Sequence, residues 1–302
     1  MHKLSNDDVI YSFSRKNPPV LRVNSGDTVS IDTYDCFTNQ IQSADQEVEA
    51  IDWNRINPAT GPVYVEGAVA GDLLKVTIDE LEIGNQGVMV TGPDLGVIGH
   101  RMEAMESKII PIENGKAIFN EKLHLPLNPM IGVIGVAPEG EPVSCGTPGA
   151  HGGNMDTKHI TQGATLYFPV FAEGALFALG DFHAAMGDGE VSVSGIEVPG
   201  RATVTLEVVK GFHSKFPVLI NSEGVSLLVS AMTLDEAVKV ATEEMIDLLL
   251  PYTDLSVSEM TMLMSAAGEA QISQVVDPLV TARFFVPQHI LDSLEIKLFN
   301  QV

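Results

Sequence analysis

The sequence predicts a mainly β fold: an antiparallel β-sandwich core with a C-terminal α+β subdomain. Three observations predict it. Short β-branched runs recur between residues 18 and 220. Gly, Pro, Asn and Asp interrupt them roughly every 8 to 15 positions, the spacing of short antiparallel strands. Helix-start signals of any strength appear only after residue 225.

The strands are read in order. Val20-Leu21-Arg22-Val23 and Thr28-Val29-Ser30-Ile31-Asp32-Thr33 flank the turn residues Asn24-Ser25-Gly26-Asp27. Gly71-Asp72 precedes the alternating run Leu73-Leu74-Lys75-Val76-Thr77-Ile78, and residues 200–209 repeat that form. Residues 45–54 carry enough helix formers for a turn or two. Thr233-Leu234-Asp235-Glu236 is a capping box, with Ala237, Val240, Ala241, Met245, Leu248 and Leu249 at helical spacing and Pro251 as the stop. Ser256-Val257-Ser258-Glu259 is a second box, opening a helix that ends at Gly268, and residues 271–276 read as a further strand. The expected division is a catalytic sandwich over residues 1–222 and an α+β subdomain over 223–302 packed on it.

Composition excludes several classes. With 17 basic and 40 acidic residues the formal charge is −23. A phosphate backbone is repelled by such a surface, and an anionic membrane is disfavoured for the same reason, so neither is an expected partner. No apolar run reaches the roughly 18 residues of a membrane span. The N-terminus shows no apolar secretory core, and two cysteines make no disulfide framework, so a cytoplasmic setting is expected. No GxGxxG, P-loop, HExxH or GxSxG is present.

Three segments are dense in potential ligands: Asp32-Thr33-Tyr34-Asp35-Cys36-Phe37, the glycine-rich His151-Gly152-Gly153-Asn154-Met155-Asp156, and Gly180-Asp181-Phe182-His183 running to Gly187-Asp188-Gly189-Glu190. Along a strand, side chains at i and i+2 share a face, so Asp181 and His183 should point together with Phe182 opposite. The glycines around Asp188 can return Glu190 to them. A histidine with carboxylates on one face is a donor set that zinc and similar metals accept. The plainer uses of the same residues stay open. Asp188 serves equally well as a hairpin-turn residue, Asn154 and Asp156 as loop-capping groups, and Cys36 and Cys145 as small buried apolar side chains. His100 closes a glycine-rich stretch and could line a cleft.

The segments Met130-Ile131-Gly132-Val133-Ile134-Gly135, His151-Gly152-Gly153-Asn154-Met155-Asp156 and Gly180-Asp181-Phe182-His183-Ala184 followed by Gly187-Asp188-Gly189-Glu190 resemble the acetamidase/formamidase family. Asp35-Cys36-Phe37 and Val276-Asp277-Pro278 are similar too, and the resemblance spans about residues 18 to 290. It implies a β-sandwich core, homo-oligomers with a dimer as the expected size, and hydrolysis of formamide or acetamide to ammonia and the carboxylate. It also implies divalent metal binding near Asp35, His151, Asp156, Asp181, His183 and Glu190, the positions standing in the matched motifs. On that basis Asp35, Asp181, His183, His151 and Asp156 are the expected metal set, with zinc placed ahead of calcium. Glu190 is the expected base, acting with His183 and Asp35. Gly152, Gly153, Asn154 and His100 are expected at the substrate, the two glycines offering backbone N–H groups to an oxyanion. Two rivals accompany this reading: an amidase using Cys36 as nucleophile, and a non-catalytic calcium-dependent sandwich that binds a small ligand.

Overall fold

The computed structural model describes residues 1–300. Two large sheets dominate it. The first has nine strands among the described residues and contains Asp27–Thr33, Gly200–Val209 and Leu73–Ile83 as antiparallel neighbours. The second carries Gln86–Thr91, Glu197–Val198, Phe177–His183, Met130–Gly135 and Gly152–Asn154 side by side in that order.

The inner faces of both sheets share one apolar core. Val29, Ile31, Val76 and Val204 come from the first sheet, and Val63, Ile131, Leu179 and Phe182 from the second. The strand Gly200–Val209 shows why: its buried residues Ala202, Val204 and Leu206 alternate with more exposed partners. Alternation of this kind buries one face of a strand and leaves the other wet. The fold is therefore the expected mainly β sandwich with a C-terminal helical region.

Residues 218–287 continue the first sheet. Val218–Asn221 pairs with Gly224–Ala231, which pairs with Val280–Pro287, which pairs with Glu269–Gln274. The helices Leu234–Leu249 and Val257–Ala267 cover that extension. Ala237, Ala241, Met245 and Leu249 are the buried stripe of the first helix, at the 3–4 residue spacing that faces a sheet. They meet Leu227, Met260, Phe284 and Val286 in a second apolar cluster. Both helix starts are capped as expected. Thr233 Oγ1 accepts the Glu236 N–H, and Ser256 and Glu259 form a reciprocal box. Where residues 45–54 were expected to form a helical turn or two, the chain has two short 3-10 turns, Val48–Ala50 and Trp53–Arg55. No described helix is long and apolar enough to cross a membrane.

Candidate active site

The strand Phe177–His183 is buried along its whole length. Phe182 enters the shared core, while Asp181 and His183 meet on the other side, with His183 Nε2 3.5 Å from Asp181 Oδ1. The strand is not regular there. Asp181 has φ +57°, and the ladder to Met130–Gly135 registers Ile131 with Phe182 and Val133 with Gly180 but skips the position between. That skipped position is Gly132. A Cβ on it would lie 2.3 Å from Asp156 Oδ1 and 2.6 Å from Asp181 Oδ2. Gly132 is thus the gap into which two carboxylates reach.

Four carboxylates surround one imidazole. His183 Nε2 lies 3.2 Å from Glu197 Oε2 and 3.7 Å from Asp156 Oδ1, besides the Asp181 contact, and 3.9 Å from Glu190 Oε1. Glu197 is the cross-strand partner of His183. Gly195 leaves room for the ring, since a Cβ there would fall 2.5 Å from His183 Nδ1. Asp156 and Glu190, like Asp181, have left-handed backbones, at φ +39° and +48°. Such conformations are rare outside glycine and cost of order 1–3 kcal/mol each, and they collect where surroundings over-determine a functional geometry.

Burial sets the charge state of this cluster. It raises Asp156 to about 7, with Asp181 adding to the effect, and Glu197 to about 8. Glu190 and Asp277 are also pushed well above their usual values, by burial first and then by Asp156. Burial resists the charged form of His183, but Glu197 and Asp181 outweigh it and raise its pKa. So much buried acid around one imidazole is expensive without a counter-ion. Asp156 Oδ2, His183 Nδ1 and Asn154 Oδ1 make no hydrogen bond, and Asp156 Oδ1, Asp181 Oδ1 and Glu197 Oε2 have only their ion-pair contacts with His183 Nε2. Buried polar atoms are rarely left so. Two neighbouring triads, Asp156–His183–Glu190 and Cys36–Asp181–Glu197, each bring donor atoms within 4.8 Å of one another. The donor set and its orphaned atoms fit a divalent cation.

A cavity of about 380 Å³ opens onto the cluster. Asp181, Glu190, Glu197, Asp277 and Asn154 form its polar wall, and Phe37, Ile56, Val90 and Leu95 its apolar wall, with the exposed Trp53 among its lining residues. Asn154 Nδ2 donates to Asp277 Oδ2 at 3.0 Å. A larger cleft of about 730 Å³ lies beyond the loop 147–151 and contains none of these acids.

Among the residues picked out from sequence, Asp156, Asp181, His183 and Glu190 are brought together, and Asn154 reaches the cavity. Asp35 stands close enough to Asp181 for the two charges to interact, while His151, Gly152, Gly153 and His100 line no part of that cavity. Asp35 Oδ1 accepts the N–H groups of Phe37 at 3.0 Å and Asn39 at 2.6 Å, so it shapes the turn that presents Cys36 and Phe37. Burial raises its pKa to about 6. His151 packs its ring on Phe13 at 5.2 Å and lines the larger cleft, with a pKa lowered by burial to about 4. The Gly152 N–H already donates to the Gly149 carbonyl at 3.0 Å, and neither Gly152 nor Gly153 lines the cavity. His100 is exposed in the turn Gly99–Arg101, outside the cavity wall.

Glu197 and Asp277 were not picked out, and Asn57, also in the wall, has no local signal. Glu197 could have been found as an acid flanked by Ile196 and Val198 within a short strand. Asp277 looked like a strand terminator before Pro278.

The model of the Acetamidase/Formamidase family matches residues 8–144 and 143–293. The chain belongs to the acetamidase/formamidase family. It is 25% identical over 264 residues to a formamidase of Methylophilus methylotrophus, covering 66% of this chain and 63% of that protein. The chain spans less than two thirds of the length of the curated relatives it matches over most of its own residues. Among solved structures, a predicted acetamidase/formamidase from the thermophile Thermoanaerobacter tengcongensis is 54% identical, with a TM-score of 0.96 over 98% of this chain and 99% of that one. An acetamidase from Bacillus halodurans is 46% identical, with a TM-score of 0.95 over 97% and 100%. The matched residues run through the sandwich and into the C-terminal extension.

Proposed function

We propose that the chain hydrolyses small aliphatic amides of the formamide and acetamide class to ammonia and the carboxylate, using a divalent cation. The observation that carries this reading is the set of buried carboxylates crowded around His183 with too few hydrogen bonds, of which Asp181, Glu190 and Glu197 line a cavity of about 380 Å³. That volume suits a small ligand.

Asp156, Asp181 and His183 would hold the cation. When bound, it supplies Lewis acidity, which polarises a carbonyl and makes water a better nucleophile at neutral pH. The imidazole donor favours zinc, because calcium prefers a shell of oxygens alone. Glu190 takes the proton from the attacking water on its carboxylate and returns it to the departing nitrogen, as a positioned acid–base group does. Asn154 Oδ1, lacking any partner, accepts an N–H of the substrate amide. Its own NH₂ group is held by Asp277, which fixes which end of the carboxamide faces the substrate. Phe37, Ile56 and Val90 leave an apolar wall for a short acyl group. Each methylene in such a pocket is worth about 1–3 kcal/mol of discrimination.

The Cys36 nucleophile is the weaker reading. Burial first, then Glu197, Asp181 and Asp35, raise the pKa of the thiol and so disfavour the thiolate the chemistry needs. The two free, buried cysteines suit a reducing cytoplasm, and a homodimer is the proposed assembly. The test is direct. Metals are quantified in the purified protein, and ammonia release from formamide, acetamide and propionamide is followed before and after chelation. His183→Ala and Glu190→Gln are assayed alongside. Loss of activity on chelation and in both variants is expected. Full activity throughout overturns the proposal.

A further inference from the structure

Two residues before Glu190 stands Asp188, which a hairpin turn alone would explain. Its contacts go well beyond a turn. Arg283 Nη1 donates to Asp188 Oδ1 at 3.0 Å and Nη2 to Oδ2 at 2.9 Å, a bidentate pair. Lys158 Nζ lies 3.0 Å from the same Oδ2. Lys158 stands two residues after Asp156.

Arg283, 1% exposed, sits on the strand Val280–Pro287. Its Nε donates to Gln271 Oε1 at 2.8 Å, and Nη1, shared with Asp188, also lies 2.6 Å from the Ile272 carbonyl and 3.1 Å from Ser273 Oγ. Ser273 then ties in the other two segments. Its carbonyl accepts the Gly189 N–H at 2.8 Å, and its hydroxyl accepts from Thr157 Oγ1 at 2.8 Å. The segments bearing Asp156, Glu190 and Asp277 therefore meet at one ionic hub outside the cavity. Burial opposes ionisation of Asp188, but hydrogen bonds from Arg283 and Lys158 outweigh it and hold its pKa below the usual value.

We propose that Asp188 is a positioning residue that joins Lys158 to Arg283 and so fixes Asp156 and Glu190 around His183. The inference rests on the reading of that cluster as the reaction centre. Left-handed backbones at Asp156 and Glu190 need external restraint to persist, and the hub supplies it on both sides. Only a planar guanidinium can make the two-pronged contact, so lysine does not replace Arg283.

The experiment uses the full chain with Asp188→Asn, Asp188→Ala, Arg283→Lys, Lys158→Arg and, as the control on the centre, Glu190→Gln. Activity is expressed per folded molecule, with the folded fraction taken from thermal melts. Misplacing a reacting group by an ångström costs up to roughly a hundredfold. A fall in kcat of about tenfold or more is expected for Asp188→Asn and Arg283→Lys, with KM moving less than about threefold. Lys158→Arg keeps the charge and retains most of the rate. Hydrogen exchange in residues 187–195 accelerates in Asp188→Ala. If Glu190→Gln loses activity while Asp188→Asn stays within about twofold of wild type in kcat, the positioning role is overturned and the centre stands. If Glu190→Gln is fully active, the centre reading fails. The exchange rates then decide the hub alone, and unchanged exchange in Asp188→Ala overturns it.

Discussion

Replacing Gly132 by alanine tests the geometry of the site with one methyl group. Gly132 has no positive φ, so alanine brings no backbone strain, and its effect is steric. The new Cβ would stand 2.3 Å from Asp156 Oδ1, 2.6 Å from Asp181 Oδ2 and 3.0 Å from the Asp181 carbonyl. Ordinary contact needs about 3.5 Å, so Asp156 must retreat by about 1 Å and Asp181 by nearly as much. Neither can swing freely. Both are buried, with left-handed backbones, and Asp156 is 0% exposed. Overpacking of this kind costs about 1–3 kcal/mol of stability. The functional cost is of similar size and separately measurable, because the two carboxylates leave His183 together. A displacement of about 1 Å lowers kcat by about a hundredfold. Ammonia release measured with saturating acetamide reads the rate, a thermal melt reads the stability, and metal analysis reads cation retention. Gly132→Ala with wild-type kcat and full metal content would refute the placement of Asp156 and Asp181 in one shared site.

Three further outcomes are expected. Cys36→Ser should cost less than about tenfold in kcat, against the roughly million-fold loss seen when a true nucleophile is removed, and steady-state kinetics separate the two. Chelated protein should lose stability as pH rises from about 4 to 8. Burial raises the folded pKa of Asp35 to about 6, of Asp156 to about 7 and of Glu197 to about 8, each above its unfolded value. The folded state therefore keeps protons that the unfolded chain releases, and that stabilisation is lost as pH climbs through each folded pKa. His183, also raised, acts in the same sense. A melting temperature that increases across this range in chelated protein would contradict the scheme, and added divalent cation should flatten the slope. Ser256→Ala should cost about 1 kcal/mol in urea unfolding, because it removes the hydroxyl that accepts the Glu259 N–H at 3.2 Å.

Features that depend on near neighbours could be read along the chain. Capping at Thr233 and Ser256 acts within three residues, so the helix starts were legible. Alternation along residues 200–209 follows from the pleat, so the buried face was legible too. The facing of Asp181 and His183 opposite Phe182 was read from the same period of two. The motifs around residues 151–156 and 180–190 supplied four of the acids and bases that converge, and the family with them.

The rest depends on contacts between separate segments of the chain. Glu197 meets His183 only because the consecutive strands Phe177–His183 and Glu197–Val198 pair in that register, which the packing of the sheet sets. Asp277 reaches the site because the strand bearing Ser273 bridges back to the loop around Gly189. Nothing local distinguishes Asp35, whose carboxylate accepts N–H groups of its own turn, from Asp156, whose oxygens accept no hydrogen bond. Asp188 looked like turn chemistry because its partners, Lys158 and Arg283, lie far away in the chain. A side chain's local preferences are written in its neighbours along the sequence. Its electrostatic surroundings depend on which segments the shared core draws together, and only the folded chain specifies those.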